Sequence, residues 1–279
     1  MLLDNKLAFV GGGMMAEAMI AGLLRRGLIA PGSIMVAGPR AERGEDLAGR
    51  YGVQWTCDNR VAVADRDIVI LSVKPQMIPK VLPEVRGHIR SRALVLSIAA
   101  GVRVETLANG LAHAGVVRAM PNTPGQIGEG VTVWTATANV TPEQREQAQT
   151  ILSAMGVEVF SEDEDDLDKA TALSGTGPAY VFLFMEALID AGVHLGFSRR
   201  VAEQLVLQTM RGATEYARQS GRHPATLRNQ VTSPGGTSAE ALYHLEKGGL
   251  RTVVSRAIWA AYVRSKQLGS GKKRGEENG

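Results

Sequence analysis

Cysteine, aromatic residues and net charge are all scarce in this sequence of 279 residues. Cys57 is the only cysteine, so an intrachain disulfide is excluded and a reducing compartment is favoured. Aromatic residues make up 5% of the chain, they do not alternate with basic residues, and the net charge is only +3. The sequence therefore predicts no nucleic-acid partner.

Also missing are the patterns that direct a chain to or across a membrane. The first apolar run starts at Leu7, without the basic segment and small-residue cleavage site of a signal peptide. No uncharged stretch approaches the roughly 20 residues needed to span a bilayer. We predict a cytoplasmic protein with no membrane partner, and we assign no metal site.

Residues 6–17 join an apolar run directly to a glycine cluster and a helical pattern. Gly11, Gly13 and Ala16 fit the G-x-G-x-x-G/A spacing of a dinucleotide-binding turn. Gly11 allows the sharp turn out of the strand, Gly13 leaves room for a pyrophosphate, and Ala16 lets the helix pack closely. The N-terminus of that helix, predicted over residues 15–26, offers N–H groups to phosphate. This context favours dinucleotide binding over an ordinary loop.

Short apolar runs alternate with helical patterns over the first 160 residues. The runs at residues 68–73 and 94–98 are almost wholly apolar, as expected for strands covered on both faces. We predict an α/β fold, in which a Rossmann-like, doubly wound, mostly parallel sheet is followed by an all-α dimerisation domain. Strands are predicted at residues 7–10, 34–37, 53–55, 68–73, 94–98, 116–119, 131–134 and 156–160, with the main helices at 15–26, 43–51, 76–85 and 142–155.

The acidic segment 162–166 precedes a second half in which only helices are predicted. The helix predicted over residues 178–195 is apolar nearly all round, with Glu186, Asp190 and His194 as its one polar line. Such a helix must be buried, and we favour a homodimer over burial between two domains of one chain. The predicted domains are 1–162 (dinucleotide-binding), 163–268 (helical dimerisation and substrate) and 269–279 (a disordered tail), with helices at 167–173, 178–195, 198–220, 226–230, 238–247 and 252–268.

The residues at the end of the second predicted strand indicate whether the cofactor is NAD or NADP. A fold that prefers NAD usually places Asp or Glu there to accept a hydrogen bond from the ribose. This chain has Gly38 and Arg40 instead, with Arg43 close behind, and Arg40 is able to pair with a 2′-phosphate. We therefore predict NADP as cofactor, with NADPH preferred and NADH use left open. A solvated turn arginine is the alternative interpretation of Arg40.

Further candidate residues follow other strands, at the edge where open parallel sheets bind ligands. Ser72, Val73, Lys74 and Pro75 lie at the end of the fourth strand, and we expect Lys74 and the peptide groups around it to line the ribose and phosphate side of the cofactor. Small residues around Ala99 leave room for a flat ring after the fifth. Two prolines hold Asn122 near the predicted nicotinamide position after the sixth. Each segment alone is equally compatible with a structural turn.

The helical half contributes a second glycine-rich turn over residues 231–240. Thr237 and Glu240 fit a capping box, and Gly235 and Gly236 let a ligand approach the backbone. A helix N-terminus of this kind is a good seat for a carboxylate. A plain helix cap explains the same residues equally well.

Taken together, these segments resemble pyrroline-5-carboxylate reductase, in that family's order and spacing, from residue 6 to about residue 268. The resemblance implies NAD(P)H-dependent reduction of 1-pyrroline-5-carboxylate to L-proline. It also implies an interlocked homodimer through the helical half, in some members assembled into a larger ring. The matching segments are residues 10–17, 72–76, 97–102, 120–124, 172–180 and 231–237.

The resemblance also implies residue roles. The substrate carboxylate is expected on the backbone of residues 236–238 supplied by the partner subunit. Ser238, assigned as catalytic, stands where many members have threonine, and serine keeps the hydroxyl that bonds the ring nitrogen. With the strand-end residues included, the predicted cofactor site comprises Gly11, Gly12, Gly13, Met14, Met15, Gly38, Arg40, Asn59, Ser72, Val73, Lys74, Pro75, Ala99 and Asn122, and the predicted substrate site comprises Met120, Val231, Gly235, Gly236, Thr237 and Ser238.

Two other functions are compatible with the same plan. A β-hydroxyacid dehydrogenase needs a general acid–base, usually a lysine on the first long helix of its second domain. The predicted helix 178–195 has no lysine, and Lys169 lies in the helix before it. A catalytically silent dinucleotide-binding scaffold is the other alternative, because a fold alone does not establish activity.

Overall fold

The structure, a computed structural model, describes Leu2 and residues 4–269. They form two compact units. The first comprises the described residues up to Thr176 together with those from Ala261 onward, and the second comprises Gly177–Ala260. This division does not coincide with the predicted domain limits of 1–162 and 163–268, which stay a prediction. Residues 270–279, most of the predicted tail, lie outside the described residues.

One sheet of eight strands organises the first unit. The strands are β1 (Leu7–Val10), β2 (Ile34–Ala37), β3 (Gln54–Thr56), β4 (Ile68–Leu71), β5 (Leu94–Ser97), β6 (Val116–Met120), β7 (Gly130–Ala136) and β8 (Gly156–Phe160). Their order in the sheet is β3-β2-β1-β4-β5-β6-β7-β8, and all neighbours are parallel except β6 and β7. The predicted doubly wound, mostly parallel sheet is confirmed.

Alternate residues of a strand face opposite sides of the sheet, and here both sides are buried. In β1, Leu7 and Phe9 lie in one apolar core, while Ala8 and Val10 lie in the other. The uninterrupted apolar runs follow from this double coverage, since no position of the strand meets water.

Seven helices of the first unit lie between or after the strands: α1 (Met14–Arg25), α2 (Ala41–Tyr51), α3 (Asn59–Val63), α4 (Ile78–Val85), α5 (Val104–Leu111), α6 (Pro142–Ser153) and α7 (Asp165–Ala170). The capping box predicted for α6 is confirmed. The Thr141 hydroxyl accepts a hydrogen bond from the Gln144 N–H at 3.2 Å, and the Gln144 side chain accepts one from the Thr141 N–H at 3.1 Å.

The helix predicted over residues 167–173 changes character partway. After α7 the chain forms a π-helical turn, Thr171–Gly175, in which the Thr176 N–H donates to the Thr171 carbonyl at 2.8 Å. The Ser174 hydroxyl donates to the Ala170 carbonyl at 3.0 Å, and such polar side chains compete with regular helical bonding. Helical periodicity alone gives no sign of the wider turn.

The second unit contains only helices among its described residues: α8 (Gly177–His194), α9 (Arg199–Ser220), α10 (Pro224–Gln230), α11 (Thr237–Lys247) and the first part of α12 (Leu250–Gly269). Within Gly177–Ala260, Ala202 alone is buried. The stretch Asp165–His194 is long and apolar enough to meet the length and composition of a membrane span. The sequence analysis looked only for uncharged stretches, so it did not identify this one, which contains charged residues.

Candidate functional site

The turn after β1 has the conformation that the glycine pattern requires. Gly11 has φ of +107°, and its N–H donates to the Ala37 carbonyl at 2.8 Å. A Cβ at this position would lie 2.9 Å from the backbone carbonyl group of Ser72. Any residue other than glycine would therefore be strained in its backbone and would also collide with Ser72, which directly follows β4.

Ser72 fixes this turn from the neighbouring strand. Its hydroxyl donates to the Gly11 carbonyl at 2.7 Å, and its backbone N–H donates to the Val10 carbonyl at 2.9 Å. The side chain is therefore engaged with the glycine turn. We infer that Ser72 shapes the predicted cofactor site indirectly, by holding the glycine turn.

The start of α1 presents backbone donors. Gly13 is the N-cap, and no side chain caps the helix there. In the part of the chain that the structure describes, no protein group accepts from the backbone N–H of Gly12 or Gly13. Met14 is exposed and Met15 is half-buried beside them. The glycine cradle and its free donors fit the pyrophosphate of a dinucleotide.

The two arginines near the end of β2 have different surroundings. Arg40 precedes α2 and is exposed, and its side chain makes no hydrogen bond or salt bridge with any described residue. Arg43 is engaged: its Nε donates to the Gly12 carbonyl at 2.9 Å, and it pairs with Glu17 and Asp46. Arg40 is therefore the one of the two that is available to a 2′-phosphate.

Two more of the predicted cofactor residues are Gly38, which follows β2, and Asn59, which follows β3. An added Cβ on Gly38 would stand 3.9 Å from the Gly12 nitrogen, which places Gly38 against the turn. Asn59 is the first residue of α3, and its amide donates to the Glu84 carboxylate at 2.7 Å. Part of the Asn59 side chain is thus held by α4.

The segment after β4 turns outward at its lysine. Val73 is half-buried, Lys74 is exposed, and Pro75 begins a short 3₁₀ turn after Lys74. After β5, Ala99 is buried within an apolar core, and its N–H donates to the Ser97 hydroxyl at 3.3 Å. Ala99 thus offers little surface to a ligand.

Asn122 sits in a loop that its own side chain braces. Its Oδ1 accepts from the Val131 N–H at 2.9 Å, and its Nδ2 donates to the Ser174 carbonyl at 3.2 Å. The side-chain amide therefore links the end of β6 to β7 and to the π-helical turn. Met120 lies beside it, and a Cβ on Gly175 would stand 2.6 Å from the Met120 methyl group.

A buried ion network near this loop escaped the sequence analysis. Arg118, 2% exposed, donates to Glu164 and to Asp168 at 2.9 Å each, and the Ser265 hydroxyl donates to Asp168 at 3.0 Å. The signal for it was present, because an arginine within the apolar strand β6 requires a buried counter-charge. The acidic segment that ends the sheet supplies one.

The second predicted site, at the start of α11, is built differently from the sequence interpretation. Gly236 is the N-cap with extended backbone, Thr237 is already the first helical residue, and the Glu240 N–H donates to the Gly236 carbonyl at 3.2 Å. The predicted capping box of Thr237 with Glu240 is wrong, because the helix starts one residue earlier and no side chain caps it. The first-turn N–H groups are thus left for another acceptor.

The remaining predicted substrate residues flank this helix start. Gly235 has φ of +70°, a conformation that favours glycine, and Val231 is exposed at the end of α10. Ser238 lies in the first turn of α11 and is half-buried. The predicted cofactor residues and Met120 thus gather in the first unit, and the other substrate residues gather in the second.

Both halves of the chain match known families. Residues 6–101 match the family described as NADP oxidoreductase, coenzyme F420-dependent. Residues 164–268 match the family described as pyrroline-5-carboxylate reductase dimerisation.

Relatives extend these matches over nearly the whole chain. A pyrroline-5-carboxylate reductase of Synechocystis sp. is 41% identical, with 95% of this chain and 98% of the relative covered. That of Pseudomonas aeruginosa is also 41% identical, with 94% and 96% covered. The crystal structure of the Plasmodium falciparum pyrroline carboxylate reductase with NADP bound is 33% identical, with 95% and 98% covered and a TM-score of 0.88.

The fold, the glycine turn and these matches define an NADP-dependent oxidoreductase with a helical dimerisation domain. Within that class, the chain belongs to the pyrroline-5-carboxylate reductase family.

Proposed function

We propose that this protein reduces 1-pyrroline-5-carboxylate to L-proline with NADPH, as the last step of proline synthesis. The observation that supports this most strongly is the near-complete coverage of both units by relatives of that one name. The free backbone donors at the starts of α1 and α11 agree with it, because the reaction needs one seat for a dinucleotide and one for a carboxylate.

The first unit would hold the dinucleotide through residues at one edge of the sheet. The backbone of Gly12, Gly13 and Met14 would bind the pyrophosphate, and Arg40 would pair with the 2′-phosphate. Lys74 and Asn59 are placed along the same edge. When bound, the reduced nicotinamide supplies the hydride. Our preference for NADPH over NADH depends on Arg40 and on the absence of an acidic residue at the end of β2.

The second unit would hold the substrate at the start of α11. The N–H groups of the first turn would bind the carboxylate, and the Ser238 hydroxyl would donate a hydrogen bond to the ring nitrogen. A cyclic imine accepts hydride well when its nitrogen is hydrogen-bonded or protonated, because the electron pair of the C=N bond moves onto that nitrogen. Holding both reactants in place can lower the barrier by roughly 7–11 kcal/mol.

The dimerisation family of the second unit supports a homo-oligomer. We propose a homodimer in which α11 of one subunit completes the site formed by the sheet of its partner. The exposed apolar side chains of α8 would then face protein and not a bilayer. A larger ring, a cytoplasmic location and the absence of nucleic-acid partners are parts of the same proposal.

Substitution of Ser238 tests the mechanism. We expect Ser238→Ala to lower kcat at least about tenfold while the Kd for NADP⁺ stays unchanged. Ser238→Thr, which keeps the hydroxyl, serves as the matched control and should keep most of the activity. An unchanged kcat for Ser238→Ala would remove Ser238 from the mechanism. If the protein oxidised a β-hydroxyacid and did not reduce pyrroline-5-carboxylate, the proposed reaction would be wrong and the β-hydroxyacid dehydrogenase alternative would take its place.

A further inference from the structure

Arg43 connects the glycine turn to a neighbouring helix, and no part of the proposed reaction accounts for it. It lies in α2, and its Nε donates to the Gly12 carbonyl at 2.9 Å. Its other nitrogens pair with Glu17 of α1 and, at 2.7 Å, with Asp46 of α2. One guanidinium thus ties together the glycine turn, the helix that follows it and the helix after the next strand.

The contact with Gly12 fixes the direction of a peptide group. The peptide bond between Gly12 and Gly13 is planar and trans, so its C=O and its N–H point to opposite sides. Since the Gly12 carbonyl points to Arg43, the Gly13 N–H must point away from Arg43. Glycines on both sides of this bond rotate easily, and a turn without the Arg43 contact would sample other orientations.

Glu17 in turn holds the guanidinium of Arg43. The Glu17 carboxylate accepts from Arg43, from Arg50 at 2.5 Å and from the Tyr51 hydroxyl at 2.9 Å. The Arg50 hydrogen bond, with help from Arg43 and Tyr51, lowers the pKa of Glu17 to about 2. Glu17 therefore stays charged even in moderately acidic solution, and its carboxylate holds Arg43 beside the glycine turn.

We propose that Arg43 is a positioning residue that orients the Gly12–Gly13 peptide toward the pyrophosphate, whereas Arg40 alone senses the 2′-phosphate. This inference rests on the proposed use of a dinucleotide. It divides the two arginines by function: Arg43 acts on the part that NADP⁺ and NAD⁺ share, and Arg40 acts on the group that only NADP⁺ has. Both roles follow from their contacts, because the Arg43 side chain is engaged on three sides and the Arg40 side chain has no partner among the described residues.

The experiment compares the Kd values of NADP⁺ and NAD⁺, measured by isothermal titration calorimetry, in three variants of the full-length protein. We expect Arg43→Met to raise the Kd of both dinucleotides by a similar factor of about ten. Arg40→Met should raise the Kd of NADP⁺ about tenfold and leave the Kd of NAD⁺ within about twofold of the wild-type value. Arg50→Met is the matched control: it removes an arginine that contacts Glu17 and Asp46 but not Gly12, and it should leave both Kd values within about twofold.

Three results would overturn the inference. In the first, Arg43→Met leaves both Kd values unchanged. In the second, Arg43→Met weakens NADP⁺ alone, which would make Arg43 a phosphate ligand. In the third, Arg50→Met weakens binding as much as Arg43→Met, which would show a general loss of the ion cluster.

Two further measurements keep these outcomes separate from other failures. If Arg43→Met fails to fold by circular dichroism, Glu17→Gln replaces it, with the same equal loss for both dinucleotides expected and an unequal or absent loss contradicting the inference. If the wild type binds neither dinucleotide, the proposed function fails, and this inference fails with it. A wild type that binds both but does not reduce pyrroline-5-carboxylate would contradict the proposed reaction and leave the role of Arg43 standing.

Discussion

The two units of this protein bury their apolar residues very differently. In the first unit, strands such as β1, β4 and β5 are wholly buried between two apolar cores. In the second, Ala202 is the single buried residue within Gly177–Ala260, and Leu183 and Trp259 are each 67% exposed. The composition of the two halves does not explain this contrast, since both are rich in apolar residues.

The contrast indicates which unit needs a partner. Apolar patches of this extent are uncommon on monomers and are typical of subunit interfaces. The first unit has a core of its own, whereas the helices of the second have no comparable core within one chain. Dimerisation would therefore be part of the folding of the second unit, and the dinucleotide site would depend on it much less.

The largest effect is expected where the second unit is most exposed. Leu183→Asp places a charge in the apolar surface of α8, and we expect it to convert the dimer to monomers and to abolish activity. Analytical ultracentrifugation measures the first effect, and calorimetry with NADP⁺ should show that the dinucleotide still binds.

Val157 in β8 of the first unit provides the matched control for this change. It is 64% exposed, close to the 67% of Leu183. Val157→Asp should leave the dimer intact. Dissociation by Val157→Asp, or a stable dimer of Leu183→Asp, would break the comparison between the two units.

Removal of core volume in the first unit should reduce stability and leave assembly unchanged. Leu71 is fully buried at the end of β4. We expect Leu71→Ala to lower the free energy of unfolding by about 2–5 kcal/mol, because it leaves a cavity between the sheet and its helices. Urea denaturation followed by circular dichroism measures this loss. A loss below about 1 kcal/mol would contradict the complete burial of Leu71 in this core.

A backbone change at the glycine turn should affect binding in the first unit alone. Gly11→Ala requires alanine at φ of +107° and brings its Cβ within 2.9 Å of the Ser72 backbone. We expect a cost of about 1–3 kcal/mol, seen as weaker NADP⁺ binding with the dimer retained. Gly27→Ala is a useful control, since its φ is also positive, at +63°, but it lies at the far end of α1. Equal losses of NADP⁺ affinity in both variants would contradict a local effect.

The smallest effect concerns acid stability, and it again separates the two units. The pKa of Glu17 is lowered from 4.5 to about 2, first by the Arg50 hydrogen bond. The charged form is favoured in the folded state, so its stabilisation is present above about pH 4.5 and is lost as the pH falls toward 2. After allowance for solvent screening, we expect it to contribute about 1–2 kcal/mol.

Glu215 of the second unit is the comparison for this pH dependence. Its pKa is also lowered to about 2, first by the Arg218 hydrogen bond, but its side chain is 43% exposed, compared with 21% for Glu17. Chemical denaturation at pH 7 and pH 3 should show that Glu17→Gln removes more of the pH dependence than Glu215→Gln. If the free energy of unfolding changed by the same amount between pH 7 and pH 3 in both variants, that result would contradict the partly buried ion cluster around Glu17.

Much of the first unit could be predicted because burial on both faces leaves a direct trace in sequence. The apolar runs at Ile68 and Leu94 start the strands as expected, and the Thr141–Gln144 capping box is confirmed. The carboxyl ends of parallel strands also meet at one edge, so residues far apart in sequence could be assigned to one site.

Other features depended on contacts that sequence spacing does not encode. The start of α11 differs by one residue from the prediction, because Gly236 takes the N-cap position. Asn122 uses both ends of its amide to brace the fold, which neighbouring prolines could not reveal. Arg43 and Arg40 are similar in sequence context and differ only in the partners that the fold supplies.

The proposal that one subunit's sheet works with its partner's α11 can be tested by mixing two inactive variants. Gly13→Asp would repel the pyrophosphate, and Ser238→Asp would repel the substrate carboxylate, so each homodimer should be inactive. In mixed dimers one of the two sites would combine an unaltered sheet with an unaltered α11, and random mixing should restore about a quarter of the wild-type activity. Mixed dimers, confirmed by mass spectrometry, that remain as inactive as either parent would contradict this account.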